Sequence, residues 1–313
     1  MPVCEICAAR EFTLIADQIR EGEGRIIQCQ GCGLVIQDVD WREEKIKQYY
    51  NEEYQSTNSL VAGKAQNPRE HFNDRLKTMQ PVLERVKPLL GPHSRVLDVG
   101  CGAGELLSLI KPQVSYVAGI ELHQPFVDFI KKDLEIDAYA EDVNKLPFDR
   151  KFDLIISLFT LDHLLNPLAT VLRFKELLAP GGKIYVEVPN REEALNYFLP
   201  ERNRSKFNRF FWHRAHFYYF TQETIKALFQ KAGLALDVTC RHEYTLKNYL
   251  NWYFLGEPQS SFTQGCQETD LFDGPSDFER RMNRLFAEME PKFKSILAET
   301  FRGDTLCGLG RVD

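Results

Sequence analysis

Four cysteines open the chain in two pairs, Cys4-x2-Cys7 and Cys29-x2-Cys32, with 21 residues between the pairs. Each C-x-x-C can set two thiolates on one tight knuckle, and two knuckles complete a tetrahedral site of four sulfurs. Redox thiols or an iron–sulfur centre are the other chemistries open to such cysteines. Redox C-x-x-C normally occurs singly at a helix start, so the paired knuckles favour zinc. Four cysteine ligands leave no open coordination position, which makes the expected zinc structural and not catalytic. Gly31 and Gly33 flank Cys32 and ease the second knuckle.

The second group with chemistry in it is Asp98-Val99-Gly100-Cys101-Gly102-Ala103-Gly104. A β-branched apolar run, Arg95 to Val99, ends there in an acid and a tight glycine turn, and Leu106, Leu107 and Ile110 open a helix beyond it. A dinucleotide fingerprint, G-x-G-x-x-G, has its third glycine one position later, and a carboxylate at Asp98 is poorly suited to greet a pyrophosphate. The D-x-G-x-G-x-G here resembles motif I of the class I S-adenosylmethionine (SAM)-dependent methyltransferases. SAM has no phosphate and carries a sulfonium and an ammonium, both cationic. Glu121 follows the glycines by about twenty residues, where an acid that accepts from both ribose hydroxyls is expected. The resemblance implies that Asp142 accepts from the adenine amino group while Val143 packs on the ring. It thus implies a SAM site made of Asp98, Gly100, Cys101, Gly102, Gly104, Glu121, Leu122, Asp142, Val143 and Ser157.

These residues need a sheet to hold them. Strands are expected at 95–99, 116–121, 136–143, 152–158 and 181–189, then at 234–242 and, antiparallel, at 304–312. The fold class is α/β: a Rossmann-like class I methyltransferase sheet of seven strands, the last antiparallel, with a small N-terminal zinc ribbon. Phe12–Ile15 and Leu34–Ile36 supply strands to that ribbon, which has too little core to be stable without metal. The domain reading is zinc ribbon 1–40, helical connector 41–92 and SAM domain 93–313, with a helical insertion at 244–303. In the connector, Tyr49, Tyr50 and Tyr54 either pack a linker helix or, as in the similar Y-Y-x-x-x-Y segment of bacterial polysaccharide and antibiotic-sugar methyltransferases, cover the SAM pocket. His71 to Leu90 reads as amphipathic helix ending at Gly91-Pro92.

After the fifth strand comes Phe207-Asn-Arg-Phe-Phe-Trp-His-Arg-Ala-His-Phe-Tyr-Tyr-Phe220, read as a loop, then a helix from Thr221 (N-cap) to Ala232, stopped by Gly233. His216-Phe-Tyr-Tyr-Phe-Thr221 resembles the H-x-x-Y-F-[ST] signature of many small-molecule methyltransferases. His213 and His216 are the candidate catalytic residues, since an imidazole of ordinary pKa can deprotonate a hydroxyl or amine; the other reading is a histidine satisfying backbone carbonyls. His163, after strand four, carries the same two readings. The chain resembles zinc-binding sugar methyltransferases over the ribbon, the connector and the domain to about residue 240. It departs from the C-methylating ones at Ala215, where they carry glutamate, and in being too short for their further domain, so O-methylation of a sugar or nucleotide-sugar is the expectation. Within the insertion, 244–255 reads as helical, 256–275 as a polar loop and 277–301 as a charged amphipathic helix, a lid or a dimer face. Tyr244, Asn248 and Trp252 fall at a spacing that puts them on one face.

The chain has 313 residues, a formal net charge of −6 and 43% hydrophobic residues, enough for one large core plus an appendage. No signal peptide and no apolar run of spanning length is seen, so a cytoplasmic protein with no membrane role is expected. Some rRNA guanine-N1 methyltransferases also pair a four-ligand zinc module with a class I domain, so RNA is the alternative acceptor. Nucleic-acid binding needs a basic surface, whereas this chain is acidic, its ribbon is poor in Lys and Arg, and Ser157-Leu-Phe-Thr160 stands where exocyclic-amine methylases have Asn-Pro-Pro-Tyr. The partners expected are therefore a small-molecule acceptor and, where the insertion serves as a dimer face, a second copy as homodimer. A non-catalytic SAM-fold module is the third class, against which the intact acids 98, 121 and 142 argue.

Overall fold

The computed structural model describes residues 2–39, 42–54, 60–61, 64–259 and 262–312. Trp41, the side chain of Tyr54, residues 55–59 and 62–63 of the expected connector and 260–261 of the expected polar loop lie outside them. In chain order the strands are β1 (Phe12–Ile19), β2 (Gly22–Cys29), β3 (Val35–Asp38), β4 (Leu60–Val61), β5 (Lys64–Ala65), β6 (Arg95–Val99), β7 (Tyr116–Ile120), β8 (Asp137–Tyr139), β9 (Phe152–Leu158), β10 (Leu178–Pro189), β11 (Tyr218–Tyr219), β12 (Ala235–Arg241) and β13 (Thr305–Arg311).

The large sheet has seven strands in the order β12-β13-β10-β9-β6-β7-β8. It is a mixed sheet with the antiparallel pairing at the last strands, as the sequence indicates. Its middle is parallel, β10 on β9, β9 on β6, β6 on β7 and β7 on β8. Parallel strands covered by helices on both faces read as continuous apolar runs, and Val96, Leu97, Leu154, Ile155 and Ile156 are all at 0% exposure. The order reverses between β6 and β9, the crevice where such sheets bind ligands at the carboxyl ends of their strands.

The chain divides into two compact units. One holds Asp40–Glu187, Leu228–Asp237 and Gly308–Asp313; β10, β12 and β13 pass through the division. Its apolar core runs from Val82, Leu83 and Val86 through Leu107, Ile110 and Ile130 to Leu154 and Ile156. The expected 71–90 helix is broken there into Pro68–Leu76, a 3-10 turn Lys77–Met79, Gln80–Val86 and a second 3-10 turn Lys87–Leu89. Pro81 and Pro88 lack the N–H that a continuous helix requires and fix φ, so each restarts the winding. The third strand is shorter than expected: β8 stops at Tyr139, and Asp142 stands beyond it in a turn.

The other unit holds Met1–Val39, Val188–Ala227 and Val238–Cys307. In it β1, β2, β3 and β11 form a four-stranded sheet. β2 went unread in the sequence because Gly22-Glu-Gly-Arg has no apolar alternation, yet it carries Ile26 and Ile27 into the core. The supposed loop at 207–211 is the end of helix Glu201–Phe211, whose Phe207 packs edge-on to Trp252 with ring centroids 4.9 Å apart. The insertion comprises helices Leu246–Phe254, Phe262–Gln267 and Asp277–Glu299, so the expected polar loop contains a short helix. Asn248 and Trp252 are buried, and Thr245 caps the helix by accepting from the Asn248 N–H. The insertion's two ends are tied at Asp304 Oδ2, which accepts from the Glu243 and Tyr244 N–H groups. Among the described residues no helix is long and apolar enough to cross a membrane.

Candidate functional site

The glycine turn is built backbone first. Gly100, Gly102 and Gly104 have φ of 83°, 56° and 84°. A Cβ on Gly100 would also sit 2.0 Å from Thr160 Oγ1, so conformation and space both exclude a side chain there. The Gly100 and Cys101 N–H groups donate to the Ile120 carbonyl at 2.8 and 3.0 Å, tying the turn to the end of β7. Just past that end stands Glu121. Its Oε2 accepts from the Gly102 N–H at 3.1 Å and its Oε1 from the His123 N–H at 3.0 Å, so the carboxylate is fixed against the turn with lone pairs to spare. Leu122, half-buried, follows it.

Asp98, on β6, is 3% exposed, and its Oδ1 has no hydrogen-bond partner among the described residues. Burial pushes its carboxyl up to about 8, with Glu105 and Glu121 adding repulsion. Glu105, the first residue of helix Glu105–Ile110, is equally hidden at 6% exposure; burial raises it to about 7, Glu121 adds to the rise and Arg75 opposes it. Glu121 is raised too, by burial, against the pull of its backbone donors. His71 Nε2 lies 3.6 Å from Glu105 Oε1, but burial holds the imidazole down at about 4, so it is neutral and does not balance the acids. Three carboxyl groups thus meet at one turn, all raised by burial and only Glu105 drawn back by a cation, Arg75, an arrangement that suits SAM, a ligand bearing a sulfonium and an ammonium.

Beyond β8, Asp142 Oδ1 accepts from the Asn144 N–H at 2.9 Å and from its side-chain amide at 2.8 Å, an Asx turn that presents the buried Val143. Ser157, at 0% exposure on β9, has an Oγ with no hydrogen-bond partner among the described residues. The connector reaches three loops at this end of the sheet. Lys47 Nζ donates to Glu141 Oε1 at 2.7 Å, Asn51 Oδ1 accepts from the Gln124 N–H at 3.2 Å, and the Tyr50 hydroxyl meets His163 Nδ1 at 2.6 Å. His163 Nε2 is 3.4 Å from Asp162 Oδ2; burial lowers the histidine to about 4 and raises the aspartate to about 7. Tyr49 is buried and packs edge-on to Tyr50. From the next connector helix, Arg85 Nε donates to the wholly buried Glu187 Oε1 at 3.1 Å, where the Tyr185 hydroxyl also donates at 2.6 Å.

In the other unit, the four cysteines come together. Cys4 and Cys32 sulfurs are 3.5 Å apart, as are those of Cys7 and Cys29, and all four lie within 4.8 Å of one another. The two knuckles repeat each other bond for bond. Ala8 N–H donates to the Cys4 carbonyl and Gly33 N–H to that of Cys29, while Cys4 N–H donates to Ala9 and Cys29 N–H to Leu34. A Cβ on Gly31 would stand 2.9 Å from Cys7 Sγ, so the backbone there must be bare for the sulfurs to close up. A metal at about 2.3 Å from each of four tetrahedral sulfurs sets them roughly 3.8 Å apart, which this cluster fits.

The same ribbon holds the histidine segment. β11 pairs with β3, Tyr218 opposite Ile36 and Tyr219 opposite Val35, and Gln37 N–H donates to the Phe217 carbonyl. The β1–β2 turn grips it from the other side. Arg20 N–H donates to the Trp212 carbonyl at 2.8 Å and Arg20 Nε to that of Phe210 at 2.7 Å, and Glu21 Oε2 accepts from the Arg214 N–H at 3.0 Å. His213 is locked: Nδ1 accepts from the Ala215 N–H at 3.1 Å, and Nε2 faces Glu21 Oε1 at 3.2 Å. His216 is half-buried, its ring 5.0 Å from that of His213 and 5.9 Å from that of Tyr219. Sequence reasoning missed Glu105, His71, Lys47, Glu21 and the Arg85–Glu187 pair. None belongs to a motif, and only Glu105, directly after the third glycine, offered a positional signal.

Residues 70–238, more than half of the chain, match the family described as a methyltransferase domain. The ubiquinone biosynthesis O-methyltransferase of Coxiella burnetii (strain Dugway 5J108-111) is 30% identical over 115 residues, 35% of this chain and 48% of that protein. The protein of the same name from Xanthomonas axonopodis pv. citri (strain 306) is 31% identical over 128 residues, 38% of this chain and 54% of that one. The chain therefore spans about half the length of these curated relatives. A SAM-dependent methyltransferase structure from Archaeoglobus fulgidus aligns with 77% of this chain and 96% of its own at 16% identity and a TM-score of 0.48. With its D-x-G-x-G-x-G turn inside the matched span, the chain belongs to the methyltransferase-domain family.

Proposed function

We propose that this protein moves a methyl group from SAM to a hydroxyl of a small-molecule acceptor, a sugar or nucleotide-sugar by its resemblance to zinc-binding sugar methyltransferases. The observation that carries the reading is the buried Asp98 carboxyl, with its unpartnered Oδ1, beside the bare glycine turn. The names of the two bacterial relatives support an oxygen acceptor on a small molecule. SAM, when bound, supplies an electrophilic methyl group on an excellent leaving group. The chain's own part is to hold and orient. Asp98 and Glu121 offer oxygens to cationic and hydroxyl groups, Asp142 and Val143 serve the adenine, Ser157 adds a buried hydroxyl, and Tyr49 and Tyr50 close the site from the connector. His216 takes the proton of the acceptor hydroxyl at a ring nitrogen, and His213 fixes the segment that carries it. In the ribbon the ion is zinc, and its role is structural.

Incubating the pure protein and methyl-labelled SAM with a cell extract, then separating RNA from small molecules, tests the function. Ribonuclease-resistant label in the small-molecule fraction is expected; label in RNA would overturn the acceptor class. His216→Ala should lower turnover by roughly 10²-fold or more with SAM affinity intact; a loss of SAM affinity would make the residue structural. Metal analysis should return about one zinc per chain. Cys29→Ser should remove it and cut turnover by about tenfold or more while the Kd for SAM stays within about twofold, because the metal holds the His216 segment and not the glycine turn; protein that is metal-free yet fully active would refute the assignment. Finally, the folded protein binds protons at Asp98 and Glu105 more tightly than the unfolded chain does. Stability of the ligand-free protein should therefore fall as pH rises from the ordinary carboxyl range through about 7 to 8. The rise in Tm produced by SAM should grow over the same window, since the ligand's positive charge favours the deprotonated acids. A thermal shift that does not vary with pH would contradict this.

A further inference from the structure

Glu105 lies outside the D-x-G-x-G-x-G pattern, yet its side chain turns back onto it. A Cβ built on Gly102 would stand 3.4 Å from Glu105 Oε2, so that carboxyl oxygen rests against the turn whose N–H holds Glu121. Its other oxygen, Oε1, faces His71 Nε2 at 3.6 Å, beyond hydrogen-bond reach, and has no hydrogen-bond partner among the described residues. Asp98 Oδ1, 3% exposed, is in the same condition. Two buried carboxyl groups at one turn therefore each present an acceptor with no donor. Buried acceptors are ordinarily satisfied, and what would satisfy these is a group with several N–H donors and a positive charge.

We propose that Glu105 is a further cofactor-binding residue, forming with Asp98 a two-carboxyl seat for the α-ammonium group of SAM. The inference rests on the SAM reading of this turn. The sulfonium brings charge but no hydrogen to donate, whereas an ammonium brings three N–H donors and no acceptor. The ribose hydroxyls have Glu121. The groups that face the seat are Asp98 on β6, Glu105 on its helix, Glu121 beyond β7, His71, Asp74 and Arg75 on the first long connector helix, and His123 before helix Gln124–Asp133. Of these Arg75 is the one permanent cation, and its charge opposes the rise that burial imposes on Glu105. The neutral His71 closes the seat and keeps it dry without neutralising it. Since burial makes both carboxyls hold protons near neutrality, seating the ammonium expels proton to solvent.

Calorimetry on the full chain tests the seat with three adenosine ligands: SAM, S-adenosylhomocysteine and 5′-methylthioadenosine. The first two carry the amino-acid ammonium and the third lacks it. In Glu105→Gln, affinity for SAM and S-adenosylhomocysteine should fall by about tenfold or more, with 5′-methylthioadenosine changed less than about twofold. The proton release accompanying SAM binding near pH 7, measured in buffers of different ionisation enthalpy, should shrink in the variant. Unchanged affinity for the two amino-acid ligands would overturn the proposal. So would an equal loss for all three, which would make Glu105 a support of the turn. Should the wild-type protein bind none of the three ligands, the SAM reading itself falls, and that outcome is distinct from any seen only in the variant.

Discussion

The glycine-turn end of the large sheet depends on one electrostatic constraint: carboxyl groups are buried at the carboxyl ends of two neighbouring parallel strands, and burial pushes them up. Asp98 on β6 and Glu121 beyond β7 are brought side by side because β6 and β7 pair in register, Asp98 opposite Gly119 and Val99 opposite Ile120. The bare glycine turn then allows the next helix to start close by, which adds Glu105 to the same place. Desolvated like charges repel strongly and respond by holding protons.

The same unit also holds acids that are paired within the protein, one buried and one at the surface. Glu187 is fully buried on β10, yet Oε1 receives both Arg85 and the Tyr185 hydroxyl. Arg95 pairs with Asp153 through two nitrogens and its backbone N–H, holding that carboxylate below its usual range. Paired Asp153 goes down in pKa and the acids at the glycine turn go up. The contrast follows from exposure and pairing together: Asp153 is part-exposed and bonded to Arg95, whereas Asp98 and Glu105 are buried with an oxygen that has no hydrogen-bond partner among the described residues.

The sheet was legible in the sequence because parallel strands read as apolar runs and acids fall at or just past the ends of several of them. Arg95–Val99 and Phe152–Leu158 match the strands residue for residue. The cysteine cluster was legible from spacing alone. What could not be read were contacts set by packing across long sequence distances. β11 is two residues long and takes its strand form only from pairing with β3, so its aromatics looked like loop. Glu21 sits in an ordinary polar turn, and nothing local reveals that it holds Arg214 and His213. Asp142 was placed at a strand tip because Tyr139-Ala-Glu-Asp has no break, whereas the Asx turn with Asn144 ends the pairing sooner.

The ribbon's place in the molecule explains why a chain with a large α/β core also gathers four thiols. Between the helix that ends at Phe211 and the short β11, residues 212–217 have no regular structure, and an irregular segment loses conformational entropy without ladder hydrogen bonds to offset it. Its backbone is satisfied instead by the ribbon: by Arg20 and Glu21 at one end of the β1–β2 hairpin, and by β3 and Gln37 alongside. The ribbon core around Ile19, Ile26 and Val35 includes Trp212 from that segment and Tyr219 from β11, so neither part has a complete core alone. A metal bound by Cys4, Cys7, Cys29 and Cys32 would contribute folding free energy directly; β2 leads into the second knuckle, and β3, which follows it, pairs with both β2 and β11. A metal held by the four cysteines would thus be coupled to the segment that carries His216 through one continuous sheet.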